Sequence, residues 1–383
     1  MCDILKHTTM KTGDKTMKKI HRTLSLFTVA AMCTALLCSC GAVSDSSQTD
    51  SSSKAATTTT ADTTADTTTA GEASSTASAT SAPDSSVSDS SSAVTDDTKT
   101  NGITPAMWKV TSPEGSTMVM LGSFHALKDE CYPLPEAVTN AYNNADILAV
   151  ECDITSTSED GEYMKNLMKQ MLYNDNTKLS QHISEEAYSA LKTYLGYWGM
   201  DISALEVYRP WAVSSTLDTL LIQDSGFDSE KGLDNYLLTT AHADGKEIYE
   251  VESVDFQMNL LINFSDDIYD LMFRSYEGET KESQKQALED LYTAWKSGDI
   301  ETFLEEDNEE ELAGYTEEDK KIAEDYNNQM LYDRNKNMAK AAEDLMSQGK
   351  NVFYVVGAAH YAGEGGIIDL LEKDGYTAER VQY

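Results

Sequence analysis

Two histidines occupy matching places in two similar stretches of this chain. His125 closes the run Val119-Met120-Leu121-Gly122-Ser123-Phe124-His125. His360 closes Val352-Phe353-Tyr354-Val355-Val356-Gly357-Ala358-Ala359-His360. In each, a β-rich apolar run stops at a glycine and an imidazole follows three residues later, which is how a strand delivers a reactive side chain at its end. A buried imidazole satisfied by a carbonyl is the plainer reading of either one taken alone. Their repetition points to one shared site. Glu151 is the third candidate, at the end of Ile147-Leu148-Ala149-Val150, where a carboxylate is costly unless it is paired or bound to a cation. Strand alternation would turn Glu151 and Cys152 to opposite faces. Arg334 falls on the same helical stripe as Met338, Ala341, Ala342 and Leu345, so it aims inward and wants a carboxylate. Glu151, Asp234 and Glu252 are the available partners.

Two neutral imidazoles and a carboxylate suit zinc, manganese, cobalt or iron. A divalent ion with an open position activates water for hydrolysis. The expected metal ligands are His125, Glu151 and His360, with Glu151 as ligand or general base and Arg334 in support. The arrangement is not HExxH, because the histidines come from separate strands. Ser123 lacks the GxSxG elbow of a serine hydrolase. His182 and His242 read as surface residues beside helix ends.

The elements around these residues alternate between strand and helix. Strands are expected at 108–111, 117–121, 147–153, 246–252, 352–356 and 377–382, and helices at 135–145, 232–243, 333–347 and 366–373. Between them lies a long helical tract over 163–332. This pattern predicts an α/β fold with an open mixed sheet, flanking helices and a helical insertion capping one edge. Sites in such sheets form outside the carboxyl ends of the strands.

The chain has 383 residues and a formal net charge of −36, most of it in residues 103–383. Coulomb repulsion therefore argues against nucleic acid as a partner. At the start, the basic stretch 17–22, an apolar segment Leu24–Leu37 and the sequence Leu37-Cys38-Ser39-Cys40-Gly41 resemble a bacterial signal peptide with a lipobox. Residues 1–40 are then a removable leader, with Cys40 lipidated and anchored at the cell surface. Residues 41–102, rich in Ser, Thr, Ala and Asp, cannot bury enough apolar surface to offset their ordering entropy and read as a disordered tether. Only Cys131 and Cys152 fall within 103–383; a disulfide between them suits an exported protein, and the sequence leaves it open.

Several stretches together resemble the TraB/GumN family, which includes the Tiki proteins. They are Gly122-Ser123-Phe124-His125, Val150-Glu151-Cys152-Asp153, Arg209-Pro210-Trp211, Gly232-Leu233-Asp234, Val251-Glu252-Ser253 with Gln257, Arg334-Asn335, and Val355 to Gly363 around His360. Tyr361 stands where the family usually has Leu. The resemblance implies an α/β core of two related halves, a site built on the paired GxxH motifs and a glutamate, and metal-dependent proteolysis of a peptide or protein with manganese or cobalt. The competing reading is a lipoprotein that binds or sequesters a secreted peptide or other small ligand without turnover.

Overall fold

The computed structural model describes residues 102–158, 160–304 and 315–383. The expected leader, the expected lipid site at Cys40 and all of the expected tether but its last residue lie outside the described residues. Six strands form one mixed sheet: β1 (Met107–Thr111), β2 (Thr117–Ser123), β3 (Ile147–Val150), β4 (Glu247–Glu250), β5 (Val352–Gly357) and β6 (Thr377–Arg380). Their order across the sheet is β4-β3-β5-β2-β1-β6. The four strands from β4 to β2 are parallel, while β1 pairs antiparallel with β2 and β6 with β1. The open mixed sheet read from the sequence is thus present.

The central strands are apolar along their whole length because both of their faces are covered. Every residue of β3 and β5 is buried, whereas the edge strands β4 and β6 carry exposed glutamates. The helices are α1 (Glu136–Asn144), α2 (Ile154–Ser158), α3 (Gly161–Gln170), α4 (Glu185–Tyr197), α5 (Pro210–Asp224), α6 (Leu233–Asp244), α7 (Val254–Asn263), α8 (Asp266–Arg274), α9 (Lys281–Ser297), α10 (Glu317–Asn327), α11 (Asp333–Met346) and α12 (Ile367–Lys373). Among the described residues no helix is long and apolar enough to cross a membrane.

Three details of the fold set up the site. The chain from β2 passes directly over the start of α6, where Leu233 N donates to Phe124 O at 3.0 Å. The pairing of β3 with β4 continues past both strands, with Val251 N on Val150 O and Glu252 N on Glu151 O, so Glu252 lies beside Glu151. Helix α11 packs on β5, and the buried Tyr354 hydroxyl donates to Met338 O at 2.9 Å. Strand ends differ from the sequence reading by one to three residues, as hydrogen-bonded ends commonly do.

Candidate active site

Parallel strands that start together also finish together, and here three neighbours finish with the three predicted groups. Glu151 follows β3, His360 follows β5 through the short 3-10 turn Ala358–Tyr361, and His125 follows β2. Gly357 lies at their centre. A Cβ at that position would stand 3.1 Å from Glu151 Oε1, 3.5 Å from His125 Nε2 and 3.5 Å from His360 Cδ2. The glycine therefore leaves room for three functional side chains to converge.

Each imidazole is held through its Nδ1. His125 Nδ1 lies 2.8 Å from Asp234 Oδ2 in the first turn of α6, and Ser123 Oγ donates to the other carboxylate oxygen at 2.7 Å. A carboxylate only accepts, so the proton sits on His125 Nδ1. His360 Nδ1 lies 2.6 Å from Asn335 Oδ1 on α11, and the Asn335 amide is oriented by donating to Gly365 O at 2.9 Å. That leaves Oδ1 as the acceptor and places a proton on His360 Nδ1 as well. Nε2 of His360 faces Glu151 Oε1 at 3.8 Å.

Glu151 is the most heavily engaged group. Its Oε1 accepts from Gly357 N at 2.7 Å, and its Oε2 accepts from Arg334 Nη2 at 2.7 Å and from Gln257 Nε2 at 2.9 Å. Arg334 also reaches Glu252 through Nε at 2.9 Å and Nη2 at 2.9 Å. Of the partners weighed from sequence, Glu151 and Glu252 bind Arg334, while Asp234 serves His125. Arg334 is placed by the start of α11, after a π-helical turn over Asn328–Tyr332, and its Nη1 donates to Met330 O within that turn. Adjacent residues thus serve two groups: Arg334 holds Glu151, and Asn335 holds His360.

The electrostatics differ between the imidazoles. His360 is buried, and burial together with the Arg334 charge holds its pKa down to about 3, so the ring is neutral at physiological pH. The His125 side chain keeps 33% of its surface exposed. Its burial opposes protonation, but the charge and hydrogen bond of Asp234, with Glu151 behind, lift its pKa to about 9. For Glu151 burial opposes ionisation, but Arg334, the two imidazoles and the Gly357 N–H together outweigh it, so the carboxyl sits well below the usual range. Burial opposes the charge on Arg334, and its paired carboxylates, Glu151 and Glu252, overcome it and keep the guanidinium charged.

A cavity of about 30 Å³ opens beside these groups, bordered by His125, Glu151, Cys152, Ser229, Asp234 and Gln257 among others. It has room for a water or two. His360 and Arg334 do not border it; Arg334 acts on it through Glu151. Among the described residues, no group of three His, Cys, Asp or Glu closes at metal-binding geometry. The chemistry of the donors nevertheless suits a divalent ion. Both imidazoles donate Nδ1–H to an oxygen, the outer-shell contact that orients metal-bound histidines, and the 3.8 Å between His360 Nε2 and Glu151 Oε1 is a spacing that two ligands of one ion adopt.

Several expectations need correction. Glu151 and Cys152 border the same cavity rather than opposite faces, because β3 ends at Val150 and the two-residue alternation ends with it. Cys131 and Cys152 are free and buried; Cys131 Sγ lies 2.9 Å from Tyr292 Oη and Cys152 Sγ 3.6 Å from Gln257 Oε1. His242 is exposed and His182 half-buried, in line with the surface reading, and each reaches a carboxylate at 2.8 Å: His182 Nδ1 to Asp266 and His242 Nε2 to Asp153. The roles of Asp234, Asn335 and Gln257 escaped the sequence reading. Asp234 does carry a signal, an acid in the first turn of a helix entered through glycine. A Cβ at Gly232 would lie 2.1 Å from His125 O, so only glycine lets the His125 loop lie on that turn.

The model of the TraB/PrgY/gumN family matches residues 106–380. The chain belongs to this family. A metalloprotease TIKI homolog from Nematostella vectensis is 25% identical over 65% of this chain and 61% of its own length. Metalloprotease TIKI2 of Danio rerio is 22% identical over 71% of this chain and 60% of its own, and the Escherichia coli protein YbaP is 24% identical over 41% of this chain and 56% of its own. This chain therefore spans about three fifths of the length of the curated relatives it matches. No solved structure matches it.

Proposed function

We propose that this family member is a metal-dependent hydrolase of peptides or proteins, tethered outside the membrane by a lipid on Cys40. The observation that carries the reading is the meeting of His125, His360 and Glu151 at the ends of three adjacent parallel strands, with both imidazoles fixed through Nδ1 and Nε2 left for the site. Relatives named as metalloproteases support the reaction class. The ion would displace the Nε2 proton of His125 and be held by His125 Nε2, His360 Nε2 and Glu151 Oε1, and would be manganese, cobalt or zinc. When bound, such an ion supplies Lewis-acid polarisation of a carbonyl and acidifies water.

The remaining work falls to the chain. Asp234 and Asn335 hold the rings in one tautomer and one orientation. The low pKa of Glu151 makes it a poor base near neutrality, so its role is ligand rather than proton acceptor. Arg334 is a positioning residue: it fixes Glu151 and offsets two adjacent carboxylates. The water-sized cavity at His125 and Glu151 provides the place for the attacking water. The tether rests on the leader and Cys40 in the sequence.

The test is metal content by mass spectrometry together with cleavage of a mixed peptide library. Wild type is expected to carry a divalent ion and to cleave, while His125→Ala and His360→Ala lose both properties. Retention of metal and full cleavage in both variants would remove the reading. In the producing cell, Cys40→Ser is expected to shift the protein out of the membrane fraction; unchanged membrane retention counts against the lipid anchor.

A further inference from the structure

A second and larger cavity, of about 200 Å³, lies in the helical part of the fold and shares no bordering residue with the strand-end site. Its walls are aromatic: Tyr173, Trp211, Phe264 and Tyr269, with His182 and Arg209 between them. The segments that carry these side chains are tied together. Leu172 bridges to Tyr208, Tyr173 N donates to Val207 O at 3.1 Å, and Arg209 N donates to Met171 O at 2.8 Å. Tyr173 stacks on the His182 ring with centroids 4.3 Å apart. Phe264 and Tyr269 meet edge to face at 6.1 Å.

The polar groups of the cavity divide into engaged and unengaged. Asp266 is paired with His182 Nδ1 at 2.8 Å. Asp175 accepts from Thr177 N at 3.0 Å and Thr177 Oγ1 at 2.6 Å. The Arg209 guanidinium, by contrast, makes no hydrogen bond or ion pair with another described residue. The Tyr173 hydroxyl is buried and has no hydrogen-bond partner among the described residues. An unpaired guanidinium in an aromatic cavity is complementary to a planar anion on an apolar body.

We propose that this cavity binds a small apolar carboxylate, its carboxylate on Arg209 and its body between the aromatic side chains. The size agrees: a cavity of roughly 150 Å³ takes benzene, so this one takes a ring and a short acid arm. Arg209 at the mouth of α5 adds the positive end of a fifteen-residue helix to the same place. Two sources share this chemistry, a free aromatic acid and the C-terminal residue of a peptide that ends in an aromatic.

The test is calorimetry on the full chain with four probes: 3-phenylpropanoate, its amide, N-acetylglycyl-phenylalanine and that peptide's amide. At least one acid is expected to bind roughly tenfold or more tightly than its amide, as loss of a charge-assisted hydrogen bond implies. Arg209→Gln is expected to erase the preference for acid over amide at unchanged melting temperature. Arg209→Lys, which keeps the charge and loses the planar fork, is expected to weaken both acids and to retain a smaller preference for acid over amide; should Arg209→Gln fail to fold, this variant and the wild-type comparison decide. Tighter binding of the peptide acid assigns the source as a peptide C-terminus, and tighter binding of 3-phenylpropanoate assigns a free acid. No binding of either acid, equal binding of acid and amide, or a preference that survives Arg209→Gln overturns the proposal.

Discussion

Arg334 is the residue on which the site's charge balance turns. Its guanidinium is 8% exposed and lies between Glu151 and Glu252, whose side chains are 11% and 5% exposed. Gln257 donates to both carboxylates from the far side. An amide cannot balance two negative charges, so removing the arginine leaves two buried carboxylates uncompensated. Arg334→Leu is therefore expected to destabilise the fold by about 3–5 kcal/mol, the cost of breaking a buried ion pair from one side. A urea midpoint series at fixed pH measures it, and a loss near 1 kcal/mol would mean that solvent already reaches the pair. That Arg334 aims inward was legible, because helical spacing alone puts it on an apolar stripe. Which acids it meets was not legible, because that depends on β3 and β4 pairing beyond their ends. The partners of the two histidines were hidden for a related reason: each imidazole and its orienting residue are far apart in the chain, and only tertiary docking joins them.

At the scale of elements, the strand exits were readable and the docking surfaces were not. Apolar runs ending in glycine mark β2 and β5, and the acid after β3 marks the same end of the sheet. Sheet order is a property of non-local pairing, which local pattern does not encode. Nor does it encode the contact of the His125 loop with the start of α6. Gly232 is the fixed point of that contact. A methyl group there would overlap the His125 carbonyl, with contacts of 2.1 Å to O and 2.6 Å to C. Backbone cannot rotate aside as a side chain does, so the loop must lift and carry His125 away from Asp234. Gly232→Ala is expected to cost about 3 kcal/mol, the upper part of the overpacking range, and to break the bond between the imidazole and Asp234. Chemical denaturation gives the first quantity, and the Nδ1 proton resonance of His125 reports the second. A variant of wild-type stability with that resonance intact would show that the loop has slack to absorb a methyl group.

The whole molecule carries 65 acidic residues against 29 basic ones, and among the described residues most charges face solvent. Asp218 on α5 is a buried exception. It is 5% exposed, and its Oδ2 has no hydrogen-bond partner among the described residues. Burial alone pushes its pKa well above the usual carboxylate range. In the unfolded chain the same carboxyl ionises near pH 4. Between that pH and its raised folded value, the folded state holds a proton that the unfolded state has lost. Stability from this group is therefore complete below about pH 4 and declines as pH rises through the folded pKa. Asn has nearly the same shape and no proton to lose. Asp218→Asn and wild type are thus expected to melt close together near pH 4, with the variant increasingly the more stable toward pH 8. Every other titration is common to both proteins, so the difference between the two melting curves isolates this carboxyl. A gap independent of pH would mean that Asp218 ionises as readily inside the fold as outside it, through water or a cation reaching Oδ2.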